Sequence, residues 1–132
     1  MNVNIQVKVN LYPTEDLEQV KVAAQKLFPI QDMRVINKEE NMKVLIFKSG
    51  DINSLSNFKA ILKQDRIRTA VRRALYHSIE NDEIRFYLNK QVAYAGHISI
   101  CEALGESPLG PIEVKIKTDE PESLVEWIVP NE

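Results

Sequence analysis
Residues 2–12 alternate apolar and polar without a break. Val3, Ile5, Val7, Val9 and Leu11 share one parity; Asn4, Gln6, Lys8 and Asn10 share the other. Period two predicts a strand with one face buried and one wet. Pro13 ends it, and Thr14 is placed to cap a helix after it. Glu15 and Asp16 then fall in a first helical turn, where the helix dipole favours negative charge. Leu17, Val20, Ala24, Leu27 and Phe28 recur at the helical period, so 14–28 reads as an amphipathic helix that Pro29 stops.

Met33 to Asn37 and Lys43 to Lys48 read as two strands joined through the polar turn Glu39-Glu40-Asn41. The second contains VLIF, apolar on both faces, which predicts a central position in the sheet. Gly50 and Asp51 turn the chain, and Ser54 is a candidate cap for a helix. From 54 to about 78 the helical period holds but its phase does not. Leu55, Phe58, Ile61 and Leu62 make one stripe; Ile67, Ala70, Val71, Ala74 and Leu75 make another. At about 100° per residue the stripes point to opposite sides of a straight helix. The spacing therefore predicts a kink or break near Gln64-Asp65, with Asp65 able to cap the second half.

Residues 83–89 return to period two, with Ile84, Phe86 and Leu88 opposed to Arg85, Tyr87 and Asn89. Lys90 to Tyr94 fits neither period, and Gly96 closes it. His97 to Cys101 reads as a strand. Glu102 to Pro111, with two glycines and two prolines, reads as a loop. Ile112, Val114 and Ile116 alternate with Glu113, Lys115 and Lys117 in a last strand. Glu120-Pro121 opens a final helix that Pro130 ends. Strands and helices mix without a repeating strand-helix-strand unit. That order predicts one α+β domain over 1–132, a single layer of mostly antiparallel sheet packed against helices.

Charge changes this picture at one place. The 132-residue chain has a net charge of −2. The segment Lys59 to Arg73, KAILKQDRIRTAVRR, holds six cations against Asp65 alone, a local +5 that leaves −7 for the rest. The cations are Lys59, Lys63, Arg66, Arg68, Arg72 and Arg73, and the phase break places them on flanks and outer faces. A cationic helix face is most often only a solvated surface. Here there is no alternating charge to neutralise it, and four of the six are arginines, whose planar fork suits phosphate. On the sheet, Tyr12, Lys8, Arg85 and Tyr87 fall on outward parities, the mixture with which open sheets stack bases, although no RNP1 signature occurs.

The remaining chemistry is sparse. Cys101 is the one cysteine, in the apolar run HISIC, and excludes an internal disulfide. His77 and His97 are isolated, so no metal-ligand spacing exists and no cofactor is expected. There is no phosphate-cradling glycine loop, dinucleotide fingerprint or nucleophile elbow, and the expectation is a protein that is not an enzyme. No apolar run approaches the roughly 20 residues of a membrane span, and MNVNIQVKV is unlike a signal peptide, so a cytoplasmic location is expected.

Four segments carry a resemblance: FKAILKQDRIRTAVR (58–72), NKQVAYAG (89–96), SPLGPI (107–112) and WIVP (127–130). In this order they resemble an uncharacterised archaeal family of predicted RNA-binding or exosome-associated proteins. The resemblance implies a fold similar to the large-subunit ribosomal protein that binds five-S RNA, a homodimer, and no known catalytic activity. It sets Asn89-Lys90-Gln91 and the loop from Glu106 to Pro111 beside the basic helix. Two functional readings result. In one, the six cations contact phosphates of RNA or another polyanion, with a larger RNA-processing complex as a further partner. In the other, the chain is a structural or protein-interaction module whose basic segment docks an acidic protein surface.

Overall fold
The computed structural model describes residues 1–101 and 110–130. Its strands are β1 (Val3–Leu11), β2 (Met33–Asn37), β3 (Lys43–Ser49), β4 (Ile79–Glu80), β5 (Glu83–Asn89), β6 (Ile100–Cys101) and β7 (Pro111–Thr118). Its helices are α1 (Leu17–Leu27), α2 (Ser56–Gln64), α3 (Arg68–His77), α4 (Lys90–Tyr94) and α5 (Pro121–Ile128). The strands form one antiparallel sheet in the order β2-β3-β1-β7-β5-β4, with β6 also on β5. This is an α+β fold.

The odd residues of β1 are all buried, and α1 packs directly on that strand. The core joins Val7, Val9, Leu45, Phe47, Ile84 and Val114 of the sheet to Leu27, Leu62, Leu75 and Val125 of the helices. Phe58 of α2 stacks on Phe28 at 5.3 Å and meets Phe86 of β5 at 5.6 Å, joining two helical segments to the sheet. Each such ring or branched side chain contributes about 1.5–3 kcal/mol by burial.

The phase break is real. α2 ends at Gln64 and α3 begins at Arg68. Between them Arg66 takes a left-handed backbone, φ 57°. Asp65 ends α2 instead of capping α3, and its carboxylate meets His97 Nδ1 at 2.9 Å. Other local expectations shift as well. Asp16, not Thr14, caps α1. Asp51 caps a short 3-10 turn, while the Ser54 hydroxyl lies 2.7 Å from that of Ser49. Lys90 to Tyr94 is helical, capped by Asn89, and only Ile100–Cys101 of the expected 97–101 strand pairs. Most of the expected loop, residues 102–109, lies outside the described residues.

Candidate nucleic-acid interface
The six cations of the basic segment do not act as one surface. Lys63, Arg66 and Arg73 are exposed, and among the described residues none of them forms an ion pair. Lys63 lies in the last turn of α2, Arg66 at the joint, where it has its left-handed backbone, and Arg73 in the middle of α3. Arg68 is half-buried. The other two are committed inside the fold. Lys59 Nζ donates to the Trp127 carbonyl at 2.7 Å and lies 4.5 Å from the Trp127 ring centre. Arg72 donates to the Val129 carbonyl at 2.6 Å and to the Glu126 carboxylate, which also accepts from the Tyr76 hydroxyl. Glu126 holds the Arg72 guanidinium above its ordinary value. In return, the hydrogen bonds from Arg72 and Tyr76 hold Glu126 below the ordinary carboxylate range. Lys59 and Arg72 thus tie α2 and α3 to the end of α5.

A second basic surface lies on the other side of the sheet: periodicity had put Lys8 and Arg85 on outward parities, and strand register adds the lysines that join them. The even residues of β1 face away from the helices. Strand register continues that face as Lys48 on β3, Lys115 and Lys117 on β7, and Glu83, Arg85 and Tyr87 on β5. One cross-strand row reads Lys48, Gln6, Lys115, Arg85, each residue directly paired with the next. The adjoining row reads Asn4, Lys117, Glu83. Arg85 pairs with Glu83 at 3.1 Å, and among the described residues Lys48, Lys115 and Lys117 form no ion pair. These three line a shallow depression of about 450 Å³ with Asn4, Gln6 and, as its one carboxylate, Asp32. Tyr87 and Lys8 share the uncovered face, as their parity predicts, in the row that also holds Glu113. Tyr12, half-buried like Tyr87, differs in its partner: its ring centre lies 5.4 Å from the Lys90 ammonium.

Lys90 is fully buried, an outcome that its polar neighbours Asn89 and Gln91 do not announce. Its ammonium donates to the Asn10 carbonyl at 2.6 Å and to the two Glu15 oxygens at 3.0 and 3.3 Å. Glu15 also accepts from the Tyr12 backbone N–H at 3.0 Å and the Tyr94 hydroxyl at 3.3 Å. Burial pushes the Lys90 pKa down, against the opposing pull of Glu15. Both carboxylate oxygens of Glu15 are satisfied, so this group is a strut between the start of α1 and the β5–α4 junction. Among the described residues, no group of three histidine, cysteine or acidic side chains could hold a metal ion. No helix there is long and apolar enough to cross a membrane.

The described residues form an α+β domain with an antiparallel sheet, helices on one face and unneutralised cations on both. The chain belongs to the protein family described as RNA binding, whose model matches residues 4–118. It is 35% identical over 126 residues to the UPF0201 protein of Metallosphaera sedula, covering 96% of this chain and 87% of that one. It is 36% identical over 126 residues to a UPF0201 protein of Pyrococcus abyssi, covering 96% and 88%. The crystal structure of the UPF0201 protein from Methanococcus jannaschii superposes with a TM-score of 0.85 at 29% identity, covering 98% of this chain and 94% of that one. The resemblance to an archaeal family thus holds at the level of the family.

Proposed function
We propose that the protein is a non-catalytic RNA-binding domain that holds phosphates with the exposed cations of the α2–α3 segment, Lys63, Arg66 and Arg73. The observation that carries this reading is the exposure of Lys63, Arg66 and Arg73 along α2, the joint and α3, with no carboxylate among the described residues paired to them. The family description supports RNA as the anion. Lys59 and Arg72 contribute by fixing the two helices on α5, not by touching the ligand. Contacts of this kind position a nucleic acid and do not read its sequence. The test is the triple variant Lys63→Glu/Arg66→Glu/Arg73→Glu, with binding to a labelled single-stranded RNA followed by fluorescence anisotropy. Affinity should fall at least about tenfold, with melting temperature little changed, since three phosphate contacts set a salt slope of about −2. Salt-independent binding, or unchanged binding in the variant, defeats the reading.

A second reading, an interaction module, is favoured by β2. This strand lies at the sheet edge, and Val35 and Ile36 on it are 40% and 43% exposed. An open apolar edge is a template for pairing with another strand, including the same strand of a second copy. Light scattering at two salt concentrations separates the readings. A dimer with no RNA shift selects the interaction module.

A further inference from the structure
The uncovered face of the sheet holds cations that the helical reading does not use. Lys48, Gln6, Lys115 and Arg85 stand in one row across four strands. Lys115 and Arg85 are direct antiparallel neighbours, so their backbones are about 5 Å apart. Like charges placed directly opposite destabilise a sheet. Lys117 comes two residues after Lys115 on the same face, and Lys48 reaches the same depression from β3. Glu83 neutralises Arg85, which leaves the three lysines without a carboxylate at ion-pair distance among the described residues. The outward face, from Arg34 on β2 to Arg85 on β5, holds six cations against Glu83 and Glu113 on its strands and Asp32 at the depression, among the described residues, on a chain whose total is −2. Self-repulsion is therefore concentrated on a face that no helix covers among the described residues.

We infer that this face, centred on Lys48, Lys115 and Lys117, is a second RNA-contacting surface, which takes the phosphates of a single strand lying across β3, β1 and β7. The geometry argues for that occupant. Strands about 4.8 Å apart set Lys48 and Lys115 about 10 Å from each other. Their flexible four-carbon stems let both ammonium groups reach neighbouring phosphates of one extended strand. The amides of Asn4 and Gln6 line the same depression and offer hydrogen bonds to phosphate, sugar or base edges. Tyr87, half-buried in the neighbouring row, is an aromatic on the same side of the sheet. The inference rests on the proposal that the protein binds RNA, but places contacts on the side of the sheet opposite α2 and α3.

The experiment compares three proteins on one fluorescein-labelled single-stranded RNA of mixed sequence, at ~50 and ~200 mM salt. They are the unaltered chain, Lys48→Glu/Lys115→Glu/Lys117→Glu, and the helical variant Lys63→Glu/Arg66→Glu/Arg73→Glu. The sheet variant should bind at least about tenfold more weakly and lose about 2 from its salt slope. Its melting temperature should change little, because the carboxylate introduced in place of Lys115 would face Arg85 while the one in place of Lys117 would face Glu83, an attraction set against a repulsion. Should that variant nevertheless melt early, Lys48→Gln/Lys115→Gln/Lys117→Gln gives the same comparison without charge reversal. Binding by the sheet variants equal to the unaltered chain overturns the inference and leaves RNA binding standing. No binding by the unaltered chain at the lower salt overturns both.

Discussion

At the scale of single residues, Lys90 is the most constrained charge in the molecule. It is wholly buried, and its counter-ion Glu15 is nearly so. Removing one member of a buried pair strands the other without solvent, which costs about 3–5 kcal/mol. Lys90→Met should therefore lower the unfolding free energy by that amount, read from equilibrium denaturation in urea. Lys90→Met/Glu15→Leu should recover much of the loss, since an apolar pair of similar size removes both desolvation penalties. Chain pattern gave Glu15 a different role, as a dipole partner in the first turn of α1. Only the approach of Lys90 from 75 residues away draws it inward.

At the scale of elements, the joint between α2 and α3 and the tie from α3 to α5 decide how the basic segment is displayed. Arg66 occupies the left-handed position at the end of α2, where its Cβ is a steric liability that glycine lacks. Arg66→Gly should stabilise the fold by about 1 kcal/mol in chemical denaturation. The same change should weaken RNA binding if Arg66 contacts phosphate, so the two readouts move in opposite directions. The tie runs through Glu126, whose pKa lies below its ordinary value of 4.5. A lowered carboxylate stabilises the fold fully above its unfolded value, and that contribution is lost as pH falls through the folded one. Glu126→Gln should thus lower the melting temperature at neutral pH. The gap from the unaltered chain should close as pH drops below about 4.5. A gap that stays constant with pH would show that the hydrogen-bond geometry, not the charge, makes the tie.

At the scale of the whole molecule, one sheet divides two chemical sides. The helical side holds the core and spends two of its six basic-segment cations, Lys59 and Arg72, on internal ties. The other side carries lysines spaced along strands, with no helix over it among the described residues. What the chain determined by itself was local: the strand of 3–11, the strand of 83–89, the helices α1, α2, α3 and α5 but not α4, and the break between 64 and 68. These are written in side-chain periods of two or 3.6, which depend only on neighbours along the chain. The basic segment was legible for the same reason, since its charges are contiguous. Which of those charges meet water was not legible. An arginine reads identically in sequence whether it faces solvent or a carboxylate 54 residues away, as Arg72 does with Glu126. The lysine row needed still more, because Lys48 and Lys115 become neighbours only through β1, which pairs with both their strands. Strand order and register are settled by burying one face of every strand against the same helices. Tertiary packing alone therefore decided where the unneutralised charge of this protein lies.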